Sequence, residues 1–160
     1  MQRHRFLMIA LILALAVVGT ASAAEFDFRA KLTGSQEVPP NNSVALGHAA
    51  FTLSPDGTRL YYRLTVQDIA NVTQAHIHVG PPGMNGPVVL FLYPSAPPPV
   101  LIPGIFNGVL GRGFAEADDL VGPLAGQPLS VLLEAIESGG AYVNVHTLQL
   151  PGGEIRGQIE

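Results

Sequence analysis

Polar and apolar residues alternate along most of this chain with a period of two. Phe26, Phe28, Ala30 and Leu32 share one register and Asp27, Arg29 and Lys31 the other, which predicts a strand over Glu25–Leu32 with one buried side. Leu46–Leu53 repeats the pattern with Ala49, Phe51 and Leu53 inward. Thr58–Gln67 does so with Leu60, Tyr62, Leu64 and Val66 inward and Tyr61, Arg63 and Thr65 outward. Ser54-Pro55-Asp56-Gly57 between these two is turn chemistry, so they are expected to pair as a hairpin. Val72–Val79 reads as a further strand with Ala75, Ile77 and Val79 inward, and Val88–Tyr93 as a strand covered on both faces. The rigid turn Gly80–Pro87 separates them. Pro94–Pro103 is expected to be irregular, Val109–Ala115 a strand, and Ala141–Leu148 and Glu154–Ile159 the last two strands, joined through Pro151-Gly152-Gly153.

One segment departs from this rhythm. Leu129, Leu132, Leu133 and Ile136 recur at helical spacing, and Gly139-Gly140 supplies a stop, so a short helix is expected over Pro128–Ser138. Seven or eight short strands with frequent turns predict an all-β fold, a two-sheet Greek-key sandwich with one short helix.

The N-terminus has a different character. A basic start, Met1–Arg5, is followed by an apolar run, Phe6–Gly19, and by the small residues Thr20–Ala24. This predicts a secretory signal peptide over 1–23 and a single domain over 24–160. The alternative is an uncleaved anchor, but the run falls short of the roughly 20 residues a spanning helix needs. No later segment is apolar and long enough to span a membrane, so the mature protein is expected in the periplasm or the medium. Removing Arg3 and Arg5 from eight basic residues leaves six against twelve acidic ones, a net charge of −6. Such a surface argues against nucleic acid and anionic lipid as partners. Cysteine is absent, which excludes disulfides, thiolate metal sites and cysteine nucleophiles.

The residues with metal-binding chemistry are histidines. His76 and His78 are two apart on one predicted strand, hence on one face, with Cα atoms about 6.6 Å apart. His146 and His48 also fall on the non-core register of their strands. Imidazoles so placed can converge on copper or, second, zinc, so the candidate metal ligands are His76, His78 and His146, with His48 a weaker fourth. The competing reading is that these are solvated strand residues. On the same polar registers, Arg156 is expected to pair with a carboxylate across the sheet, Asn144 to bond backbone, and Tyr61, Arg63 and Tyr142 to face outward. Glu154 and Gln158 are expected outward too. No nucleophile elbow or dinucleotide loop occurs, so no catalytic residue is nominated.

Four stretches, Phe28–Pro40, Ala75–Pro87, Tyr142–Thr147 and Gly153–Gln158, in this order resemble the CHRD (chordin) domain, and the likeness covers nearly all of the predicted mature chain. The resemblance implies an extracellular β-sandwich, immunoglobulin-like and distantly similar to copper/zinc superoxide dismutase, found as modules in chordin and alone in secreted bacterial proteins. It implies no settled catalytic residues. The growth-factor-binding activity of chordin belongs to cysteine-rich modules absent here. The expected function is therefore a non-enzymatic extracytoplasmic module for an unknown protein or ligand. The alternative is a copper- or zinc-binding protein, and a superoxide dismutase-like redox role comes last.

Overall fold

The computed structural model describes residues 27–160; the predicted signal peptide lies outside them. Among the described residues seven strands form: β1 (Phe28–Thr33), β2 (Leu46–Leu53), β3 (Leu60–Val79), β4 (Val88–Tyr93), β5 (Ile102–Ala115), β6 (Ala141–Thr147) and β7 (Ile155–Gln158). One α-helix, α1 (Leu129–Glu137), precedes β6, and its Leu129, Leu132 and Ile136 are buried at the expected spacing. Gly139, at φ 70, ends it as expected, because glycine meets no Cβ penalty in the left-handed region.

The architecture is all-β. The two separate sheets expected from the sequence are instead joined. β2 pairs with β1, β1 with β7, β7 with β6 and β6 with β3, and β3 returns to β2, so the pairing closes into a ring. β4 and β5 add to β3 outside that circuit. The joint is β3 itself. The sequence suggests two strands here, but they run on as one of 20 residues. Its first half pairs with β2 (Leu64 opposite Ala49), its second with β6 (Ile77 opposite Val143). The interruption that mimics a break is a pair of left-handed residues, Asp68 (φ 53) and Asn71 (φ 55), inside the strand. Asp and Asn tolerate that conformation better than other side chains. Asn107 Oδ1 accepts from Asp68 N–H and Asn71 Oδ1 from Gly104 N–H, which holds the irregularity against β5. β5 also begins earlier than expected, taking in the end of the supposed irregular stretch.

The core lies within the ring. Leu32, Phe51, Leu60, Leu64, Ile77, Val143, Val145 and Ile155 have no exposed surface, and α1 covers part of it with Leu132 and Ile136. Each such side chain contributes about 1.5–3 kcal/mol on leaving water. All seven residues of β6 are buried, so both of its faces are covered. The outer face is where the site lies.

Candidate metal centre

His76 and His78 project from the second half of β3, on the side opposite Ala75 and Ile77. His76 lies opposite Asn144 and His78 opposite Tyr142 on β6, and His146 follows two residues later on the same face. Strand pairing thus converts a 70-residue separation into neighbouring rings. His76 Nδ1 is 3.2 Å from His146 Nε2, and the ring centroids of His78 and His146 are 6.0 Å apart. One nitrogen from each of the three lies within 4.8 Å of the others. His48 does not join them: it stands exposed on β2, opposite Lys31 and Thr65.

The expected register holds, but the expected solvent does not. The three rings are only 3%, 9% and 6% exposed for His76, His78 and His146, because a second layer of loops and aromatic rings covers this face. Phe91 meets His76 edge-on at 4.9 Å, and Tyr142 stacks on His78 at 4.9 Å, with ring planes 10° apart. The loops also fix the ring tautomers. His146 Nδ1 faces the Pro151 carbonyl at 3.0 Å and His78 Nδ1 the Gly86 carbonyl at 2.9 Å. A carbonyl only accepts, so both Nδ1 atoms carry the proton and both Nε2 atoms present lone pairs. His76 Nδ1–H therefore donates to His146 Nε2. The Nε2 atoms of His76 and His78 are left buried without a hydrogen-bond partner.

Burial dominates the protonation of this group. It pushes the His76 pKa down to about 3, helped by repulsion from His146 and His78. It pushes His146 down to about 4 against the opposing Pro151 hydrogen bond. His78 moves down too, by burial and the nearby Arg156 charge, against its bond to Gly86. All three rings are neutral near pH 7, the state in which imidazole ligates metal. The 3.2 Å contact between His76 Nδ1–H and His146 Nε2 is a hydrogen bond, which an ion held on His146 Nε2 would displace. Carbonyls on the distal ring nitrogens are the usual outer support of metal-bound histidine.

The surrounding polar residues depart from the sequence reading. Arg156 is 1% exposed and, among the described residues, no carboxylate lies within 4.0 Å of its guanidinium, although its charge acts on Glu37. Its guanidinium lies 3.4 Å over the Tyr142 ring and donates to Asn85 Oδ1 and to the Pro81 and Met84 carbonyls, pinning the Gly80–Pro87 turn. Tyr142, expected outside, is buried between this cation and His78, and its hydroxyl accepts from Gly86 N–H. Asn144 bonds a side chain: its Nδ2 donates to Glu37 Oε1 at 2.7 Å. Gln158 donates to the Gly80 and Gly139 carbonyls. Tyr61 is exposed as expected, edge-on to Phe114.

Glu37 carried no signal in the sequence, since alternation cannot place a residue in a Pro/Gly-rich loop. Burial raises its pKa to about 7, opposed by Arg156, by Asn144 and by the Val38 N–H. With Arg156 it lines a cavity of about 400 Å³ walled by Val38, Pro40 and Pro82. Gly153, at φ 134, permits this packing: a Cβ there would lie 2.6 Å from Asn144 Nδ2 and 2.7 Å from Glu37 Oε1.

The fold and the site define an all-β domain with a buried three-histidine group under its loops. The CHRD domain family model matches residues 28–159, and the chain belongs to that family. No solved structure matches it. Among the described residues no helix is long and apolar enough to cross a membrane.

Proposed function

We propose that this domain is a non-catalytic, extracytoplasmic module that binds one transition-metal ion, copper or zinc, through His76, His78 and His146. The observation that carries the reading is the convergence of three neutral, buried imidazoles, two of them with tautomers set by carbonyls. Buried polar atoms are costly unless partnered, so the bare Nε2 atoms of His76 and His78 call for an occupant. Family membership and the leader-like Met1–Ala23 support placement outside the cytoplasm. The family's sandwich architecture, immunoglobulin-like and superoxide dismutase-like, is kept as the reading of how the ring flattens. Superoxide turnover gains nothing from the fourth histidine of the sequence reading, since His48 is remote from the group.

Titrating purified protein with Cu(II) and Zn(II) tests the proposal by calorimetry and thermal melting. The expected result is one ion per chain. Ion at 100 times the Kd raises stability by about 2.7 kcal/mol. The double variant His76→Ala/His78→Ala loses both effects. No stabilisation by either ion, or unchanged binding in the double variant, defeats the reading. A superoxide-turnover assay on the loaded protein is expected to show no rate above free metal.

A further inference from the structure

The charge around the three histidines restricts which ion they hold. No Asp or Glu belongs to the group of ligand atoms lying within 4.8 Å of one another. The Glu154 carboxylate, nearby in sequence, is taken by Ser43 Oγ and Thr147 Oγ1, each at 2.7 Å. Glu37 is held by Asn144 and faces Arg156. Arg156 is one aromatic ring away from the group, over Tyr142, which stacks on His78. Among the described residues no carboxylate pairs with that guanidinium within 4.0 Å; the ion pair found is Arg59–Glu116, elsewhere. Glu37, Arg156 and the three neutral rings therefore sum to no net charge with Glu37 ionised and to a positive charge with Glu37 neutral, while Glu154 is bonded by hydroxyls outside the ligand group. In neither state does this set hold net negative charge for an incoming cation.

Two physical costs follow for a divalent ion. The self-energy of a buried ion grows with the square of its charge, and its repulsion by Arg156 doubles from one charge to two. Coordination adds a third cost. Zn(II) takes four ligands, whereas the group supplies three nitrogens under a cover of Phe91, Tyr142 and the Pro151 loop. Cu(I) carries a single charge and is satisfied by three nitrogens; its filled d shell separates it from Cu(II) but is shared by Zn(II), so against zinc the charge and ligand number carry the difference. Imidazole binds copper as well as zinc. We propose that the group selects Cu(I) over Cu(II) and Zn(II), which rests on the metal-binding reading above.

The test is anaerobic competition of the purified protein with bicinchoninate for Cu(I), beside calorimetric titrations with Zn(II) and Cu(II). The expected result is one Cu(I) per chain with a Kd about 100-fold or more below either divalent Kd. His146→Asp, which places a carboxylate in the group, is expected to narrow that ratio by about tenfold or more. Circular dichroism reports whether the variant folds; if it does not, the wild-type ratio decides alone. Divalent binding as tight as Cu(I) overturns the selectivity while leaving the metal reading in place. Failure of all three ions to bind overturns both.

Discussion

The two halves of β3 obey the same alternation and live in different surroundings. In the first half, Leu60, Leu64 and Val66 fill the core while Arg63 and Tyr61 meet solvent. In the second half, Ala75 and Ile77 fill the same core, yet His76 and His78 on the other face are buried as well. The difference lies in what covers that face. Over the first half that face stays open, with Tyr61 and Arg63 exposed. Over the second, β6 brings Tyr142 and His146, and the turns at Gly86 and Pro151 present carbonyls to the imidazoles. A polar register is thus a surface in one place and a second interior in another.

The core face should break equally in both halves. Leu64→Ala and Ile77→Ala are each expected to cost about 2–5 kcal/mol in chemical denaturation, since both side chains are fully enclosed. A loss confined to one half would mean that β3 is not a single strand through one core.

Acid should separate the halves next, in metal-free protein. The folded pKa values of His76 and His146 lie near 3 and 4, below the ordinary 6.5, so the unfolded chain binds more protons as pH falls. Stability from these rings is full above pH 6.5 and drains towards pH 4, at up to about 1.4 kcal/mol per pH unit for each ring. Glu37 acts in the opposite sense. Its folded pKa near 7 exceeds the ordinary 4.5, so its contribution is full below 4.5 and is lost as pH rises to 7. The net expectation is a fall in denaturation midpoint between pH 6.5 and 4, reduced by Glu37. A flat midpoint across that window would show that the rings are not held neutral.

The smallest effect belongs to the outer face of the first half. Arg63→Ala is expected to leave the denaturation midpoint within about 0.5 kcal/mol of the parent and metal binding unchanged. A large loss there would erase the contrast between the halves.

Much of the architecture is legible as alternation because a strand's period of two is a local property. The inward sets of β1, β2 and β3, the hairpin turn at Ser54–Gly57 and the stop of α1 at Gly139 all follow from neighbouring residues. The continuity of β3 was hidden because left-handed Asp68 and Asn71 look like a boundary until Asn107 and Gly104 are seen to hold them. At the site, the shared face of His76 and His78 was legible and the register of His146 pointed the same way. The fate of His48 and the part played by Glu37 were not, since they depend on pairings between distant segments.

The sequence by itself determined an all-β chain of the CHRD family, its core residues and the three imidazoles turned from that core, because these depend on the order of residues within single strands. Tertiary structure decided that β3 joins the sheets, that His146 meets His76, and that loops carrying Gly86 and Pro151 seal the group from water. Those outcomes depend on which strands become neighbours and what the loops cover, and no local pattern encodes either.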